Sequence, residues 1–395
     1  MGRRKKKPLN KALAIFCAIV FIIIGAGVGI ASKIYLFPDD SYIIPDTHTI
    51  TSSSVAGDID VDVVKSKELS IHFVELGNKY TGDCTFIKVG NNEILIDAGS
   101  RTSSIEPIHD YITQYITDGK LEYVIVTHAH RDHYAGFATN DSLFDALQES
   151  DISIGTVVRF SNTEQNPSKG LYKEFLEELD EVEAECGANV YTVLECWNQT
   201  NGASKTYDLG NNVELEFLYQ EFYETEAHSE NDYSVCCILN QGAGADSRHY
   251  LFTGDLEYTG EASLVRENTL PKCELYKAGH HGSKTSSSDT LLNVIEPEIV
   301  CVCACAGSSE YTSKNENQFP TQQFIDRIAP HTDRVYVTSL CVDYDKGEFT
   351  SMNGNIIIAS NISEATNVYC SGSQLKLKES EWFKNNRTMP VAWAS

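Results

Sequence analysis

Between Val126 and Gly136 the chain reads VTHAHRDHYAG, which brings His128, His130, Asp132 and His133 into six residues. Imidazole with carboxylate is the donor set that binds a zinc-like ion and leaves positions open for water. In an extended His-x-His pair the two side chains point the same way, so His128 and His130 can chelate one ion. Asp132 and His133 lie one turn on and can reach a second ion beside the first. A lone histidine reads as a core or surface residue. Three of them with an aspartate, directly after the apolar run LEYVIVT, do not.

One loop cannot complete two metal shells, so other strand ends must contribute. HYLFTGDLE puts Asp255 just after an apolar run and a tight Thr-Gly turn, and ELYKAGHHGSKTSS puts His280 and His281 directly after another. A carboxylate between two ions can bridge them, which is the expected place of Asp255. These three stretches hold six of the 11 histidines, His249 at the head of the second among them. His228, in AHSEND, reads as a solvated loop histidine.

The elements that must carry these residues are visible as hydrophobic periods. ELSIHFVEL, CTFIKVG, NEILIDAG and LEYVIVT read as strands, and SSIEPIHDYITQYITDG reads as a helix. KGLYKEFLEELDEVEAECG is an amphipathic helix with a glycine stop. VELEFLY, YSVCCILN, RHYLFTGD, EIVCVCACAG, RVYVTS and NIIIAS are further strands; EASLVREN, TSSSDTLLNVI and TQQFIDRIA are helical. Strands with interspersed helices and no repeat predict an α/β domain over 67–360. Residues 361–395 alternate weakly and read as a C-terminal extension.

Charge and composition exclude some functions. The net charge is −25, yet residues 1–11, MGRRKKKPLNK, carry six cations and no anion, leaving 25 basic against 56 acidic residues, a net of −31. So acidic a body is a poor partner for long duplex DNA. Ala12 to Ser32 is a run of 21 uncharged, mostly apolar residues, enough for a helix of roughly 30 Å, a bilayer's hydrocarbon thickness. The expectation is a cytoplasmic basic tail at 1–11, a single-pass signal anchor at 12–36 and a polar linker at 37–66, with the body outside the cytoplasm. A cleaved signal peptide is the competing reading, but SKIYLFP offers no clear small-residue cleavage site. Of 12 cysteines, Cys301, Cys303 and Cys305 alternate along one strand and read as buried apolar residues rather than a disulfide frame.

Taken together, TGDC (Thr81–Cys84), LIDAG (Leu95–Gly99), THAHRDHYAG, NDYSV (Asn231–Val235), FTGDLE, KAGHHGSKTSS and NENQFP (Asn315–Pro320) resemble the metallo-β-lactamase fold superfamily. The similarity is greatest to the branch with the ComEC hydrolase domain and phosphorylcholine esterase. The resemblance runs from about Glu68 to Ser360 and implies a four-layer αββα sandwich with the site at one edge. It implies two Zn2+ per chain, with Mn2+ as the alternative: His128 and His130 on the first, Asp132 and His133 on the second, Asp255 bridging. It favours His281 over His280 as the last ligand and makes Asp97 a buried support. Asp83 and Ser283 would stand beside the ligands or face substrate. Two departures stand out. Asn231 and Ser234 occupy the stretch where the superfamily often has another histidine, and Phe319 replaces the histidine the branch carries before its late proline.

Two ions about 3.5–4 Å apart hold a hydroxide at neutral pH and polarise the oxygen of the bond it attacks. Lys277, Lys284 and Asn231 are placed to contact the developing negative charge, although Lys284 reads equally well as a surface lysine. Ser283 and Thr285 orient ligands or cap the next helix. The expected activity is hydrolysis of a phosphodiester, on a cell-wall phosphorylcholine-type polymer or a nucleic acid. The alternatives are a lactamase- or lactonase-type hydrolase on the same fold, and a non-catalytic surface binding module.

Overall fold

The computed structural model describes residues 59–139 and 141–394. The basic tail, the apolar segment and most of the expected linker lie outside the described residues. Among the described residues no helix is long and apolar enough to cross a membrane.

In chain order the strands are β1 (Leu69–Phe73), β2 (Thr85–Val89), β3 (Asn92–Ile96), β4 (Lys120–Val126), β5 (Ser153–Arg159), β6 (Asn189–Thr192), β7 (Thr206–Asp208) and β8 (Val213–Leu218). There follow β9 (Cys236–Gln241), β10 (Arg248–Phe252), β11 (Leu275–Lys277), β12 (Ile299–Ala306), β13 (Val335–Asp343), β14 (Glu348–Ser351), β15 (Ile356–Ser360) and β16 (Asn367–Cys370). They form two eight-stranded sheets, ordered β16-β15-β1-β2-β3-β4-β5-β6 and β14-β13-β12-β11-β10-β9-β8-β7. β3 to β6 run parallel, as do β10 to β13; the remaining pairs are antiparallel.

Period-two alternation divides the core. On β12, Cys301 and Cys303 join the cluster that also holds Phe73, Phe86 and Val124 of the first sheet. Val300, Val302 and Ala304 of the same strand join a second cluster with Leu264, Leu291 and Phe324. Those three side chains belong to the helices Tyr258–Glu267, Asp289–Ile295 and Gln322–Ile328, which cover the outer face of the second sheet. The helices Ile105–Ile112, Leu143–Glu149 and Gly170–Cys186 pack on the first sheet through Ile108, Phe144 and Phe175. The result is the expected two-sheet α/β sandwich with helices on both faces. All the described cysteines are free thiols.

Several elements are absent from the sequence reading. β5 (SIGTVVR) carries a glycine and two hydroxyl residues, which blur its apolar run. The helix Leu143–Glu149 is only seven residues long and owes its start to a capping box of Ser142 with Asp145. The boundary drawn at Ser360 divides a continuous sheet: β16 pairs with β15, Ile357 opposite Tyr369. Beyond it, Phe383 and Trp393 join the second core cluster.

Candidate metal centre

The histidine loop leaves β4 and is tied to both sheets by its backbone. Val235 N–H donates to Thr127 O at 2.9 Å, Ala98 N–H to His133 O at 2.7 Å and Asp83 N–H to Asp132 O at 3.0 Å. Gly136 permits the close passage of this loop over Ala98; a Cβ there would lie 2.3 Å from Ala98 O. Asp97, just after β3, has φ 61°, a left-handed conformation that aspartate tolerates better than most residues. Its carboxylate accepts from Thr127 N–H at 2.8 Å, Thr127 Oγ1 at 2.7 Å and His133 Nδ1 at 2.7 Å.

Three strand ends then deliver four buried donors to one point. Asp132 and His133 follow β4, Asp255 follows β10 and His281 follows β11; one ligand atom from each lies within 4.8 Å of all the others. His281 Nδ1 faces Cys303 O at 2.9 Å, and its Nε2 lies 3.2 Å from Asp132 Oδ2 and 3.3 Å from Asp255 Oδ2. His133 repeats the arrangement: Nδ1 is held by Asp97, and Nε2 lies 3.1 Å from Asp255 Oδ2. That last approach lacks hydrogen-bond geometry, so His133 Nε2 has no hydrogen-bond partner although it is buried. Imidazoles anchored through Nδ1 with Nε2 turned to a shared point are the arrangement metal-binding histidines adopt.

The electrostatics ask for a cation. Burial opposes charge on His133, yet Asp255, Asp97 and Asp83 raise it well above the ordinary histidine value. Burial likewise opposes charge on His281, which Asp255, Asp83 and Asp132 push up to about 10. Burial would raise Asp255, but His133, His281 and His280 bring it well below the usual carboxylate range. Without an ion, the carboxylates draw protons onto the two imidazoles. A divalent ion supplies the same charge and displaces those protons, so the residues fit a metal.

The other expected residues divide. His128 is buried, with Nε2 3.1 Å from His130 Nδ1, and His130 is partly exposed. Ser234 stands where a further histidine is common; its Oγ accepts from Asp255 N–H at 3.0 Å and lies 3.4 Å from His128 Nδ1. His280 is outside the four-residue group: its Nδ1 lies 3.2 Å from Thr285 Oγ1 and 3.4 Å from Glu257 Oε1, and its Nε2 lies 3.9 Å from Asp255 Oδ2. Asn231 donates to Glu257 Oε1 at 3.1 Å. Lys277 does not face the opening. It is buried, paired with Asp83, and 3.7 Å from Asp255 Oδ1. Asp83 in turn lies 3.1 Å from His281 Nδ1. Lys284 is exposed and donates to Asn317. Ser283 bonds Thr285, while Ser288 caps the next helix. His228 is exposed.

Three contributors were not legible in the sequence. Glu230 accepts from Ala129 N–H, Thr163 Oγ1 and Glu164 N–H, clasping the backbone between His128 and His130. Glu261 accepts from Ser287 N–H at 2.5 Å and Ser288 N–H at 2.7 Å, holding the loop after His281. Tyr311 Oη donates to Asp132 Oδ2 at 2.6 Å. Glu230 adjoins NDYSV, which could have drawn attention to it; Tyr311 lies in a stretch without a motif.

A two-sheet α/β sandwich with a candidate His/Asp metal group at one edge is the arrangement of the metallo-beta-lactamase fold. Residues 77–149 match the metallo-beta-lactamase superfamily model. It is similar to the competence protein ComA of Neisseria gonorrhoeae, 33% identical over 129 residues, which are 32% of this chain and 17% of that protein. It is also similar to ComE operon protein 3 of Bacillus subtilis, 26% identical over 110 residues, 28% of this chain and 13% of that protein. The matched segment thus spans under a fifth of either relative. Among solved structures, the metallo-beta-lactamase fold protein YhfI of Bacillus subtilis is 12% identical with a TM-score of 0.42, covering 72% of this chain and 99% of that one. A diphosphatase of the PhnP family is 11% identical with a TM-score of 0.37, covering 72% and 98%.

Proposed function

We propose that this protein is a membrane-anchored phosphodiesterase acting outside the cytoplasm, with zinc at its centre and Mn2+ as the alternative ion. The observation that carries the reading is the group of Asp132, His133, Asp255 and His281: four buried donors whose charge balance lacks a cation. A divalent ion held there supplies Lewis acidity and a water-derived nucleophile at neutral pH. A second ion would be held by His128 and His130, whose Nε2 and Nδ1 converge at 3.1 Å.

The remaining work falls to the chain's own groups. Asp97 and the Cys303 carbonyl fix the two imidazole rings, so the ligand atoms need no reorganisation. Lys277 and Asp83 form an internal ion pair beneath the donors. Asn231 and His280 are polar groups close to the centre, suited to an anionic ester and its leaving group. The resemblance to the ComEC branch favours a nucleic-acid-type ester. The acidic body favours a short or cell-wall phosphorylcholine-type ester over long duplex DNA. The apolar run from Ala12 to Ser32, after a basic tail, supports the anchor.

The test uses the full chain in detergent, freed of chelator, with metal content measured beside turnover of bis-p-nitrophenyl phosphate and p-nitrophenylphosphorylcholine. Bound zinc with phosphodiester cleavage that collapses in Asp255→Asn is the expected result. Less than one metal per chain and no turnover of either ester would refute the reading.

A further inference from the structure

Tyr311 belongs to none of the motifs that carry the resemblance, yet it reaches the metal-binding group. The residue is 54% exposed, and its hydroxyl donates to Asp132, which is 8% exposed. The side chain therefore runs from solvent to a buried carboxylate. It is also well held. Its neighbour Glu310 accepts from Thr81 N–H at 3.0 Å and pairs with Arg101 at 2.8 Å. Its ring lies 5.9 Å from that of Phe319, which also packs against His280 at 5.5 Å and His281 at 5.8 Å. The loop is pinned further on, where Arg387 donates to Gln318 O at 2.7 Å and Lys284 to Asn317 Oδ1 at 2.9 Å.

A phenol is a neutral O–H donor whose hydrogen rotates to the best acceptor in reach. In the metal-free site that acceptor is Asp132, which shares the same oxygen with His281 Nε2 at 3.2 Å. Once the Asp132 charge is neutralised by a bound cation, the stronger acceptor is a phosphoryl oxygen gathering negative charge. Lys277, the cation expected at that oxygen, is instead buried against Asp83. The position it leaves needs a donor, and Tyr311 supplies one from the solvent side.

We propose that Tyr311 is a catalytic residue of this site: its hydroxyl turns from Asp132 to a non-bridging oxygen of the bound ester and stabilises the charge that develops there. The inference rests on the phosphodiesterase reading. Its test is Tyr311→Phe in the full chain, with zinc content, zinc affinity by chelator competition, and kcat and KM on bis-p-nitrophenyl phosphate. The expected result is a kcat lowered about 10²-fold at saturating zinc, with zinc content and affinity as in the wild type. A kcat within about threefold of wild type overturns the proposal. So does a lowered zinc affinity whose rate is restored by added zinc, because Tyr311 would then only orient Asp132. A wild-type protein that turns over no phosphodiester at all refutes the phosphodiesterase reading first, and the role of Tyr311 falls with it.

Discussion

Replacing Asp97 by asparagine tests whether the centre is built from the second layer inward. The variant is nearly isosteric, and asparagine, like aspartate, accepts the φ of 61° at this position. The amide oxygen can keep the bond from Thr127 N–H, 2.8 Å from Oδ1. The amide nitrogen then meets Thr127 Oγ1 and His133 Nδ1, each 2.7 Å from the oxygen it replaces. To avoid a donor facing a donor, His133 must move its proton to Nε2, the atom turned to the metal position. Asp83 gives no substitute, since its Oδ2 is 3.7 Å from His133 Nδ1. A lost hydrogen bond to a charged group costs about 1.5–3 kcal/mol. At about 1.4 kcal/mol per factor of ten, that is a loss of metal affinity of roughly 10- to 100-fold, the range found when outer partners of metal-binding histidines are removed. Competition with a chelator of known affinity measures it directly. An affinity within about threefold of wild type, at unchanged stoichiometry, would refute the argument that Asp97 sets the His133 tautomer.

Metal binding should release protons. His281 is raised to about 10 and His133 is raised in the same sense, so both imidazoles are protonated in the metal-free protein at neutral pH. Calorimetry at pH 7 in two buffers of different ionisation enthalpy should read close to two protons released per ion bound at this position; fewer than one would contradict the charge argument. The same shift fixes a sign: the His281 contribution to metal-free stability is full below its unfolded value of about 6.5 and is lost as pH rises through about 10, so urea midpoints of the metal-free protein should fall across that window. Gly136→Ala should destabilise the fold by about 1–3 kcal/mol, because the new Cβ would press to 2.3 Å from Ala98 O; an unchanged urea midpoint would show that the loop can give way.

What the sequence made legible follows from how the chemistry is spaced. His128, His130, Asp132 and His133 are local, and a strand-to-loop junction is enough to aim them. Asp255 and His281 are distant in sequence, but each sits just after an apolar strand, and parallel strands deliver their C-terminal ends to one edge. The doublet His280–His281 is resolved only in three dimensions. Both residues have positive φ, at 46° and 54°, and the kink turns the second ring inward to Cys303 O while leaving the first beside Glu257. No periodicity encodes that kink. Glu230 and Glu261 were equally hidden, because a carboxylate that clasps backbone N–H groups looks in sequence like any surface glutamate.

Lys277 is where the sequence reading and the fold diverge most usefully. A lysine two residues before a glycine-histidine turn reads as a cation aimed at substrate. β11 is only three residues long and is flanked on both sides by parallel neighbours, so its last residue stays inside the sheet instead of reaching the opening. There it faces Asp83 and Asp255, both of which are buried. Asp83, Asp97, Asp132 and Asp255 place four carboxylates in one dry region. Lys277 is the one permanently charged cation paired with any of them among the described residues. Leaving a buried charge uncompensated costs several kcal/mol, so one lysine against four carboxylates creates a standing demand for further positive charge. Protons on His133 and His281 meet that demand in the metal-free protein, and a divalent ion meets it while releasing the Nε2 atoms as ligands. The internal ion pair therefore lies against the candidate metal ligands, and the side chain that reaches Asp132 from the solvent side is Tyr311.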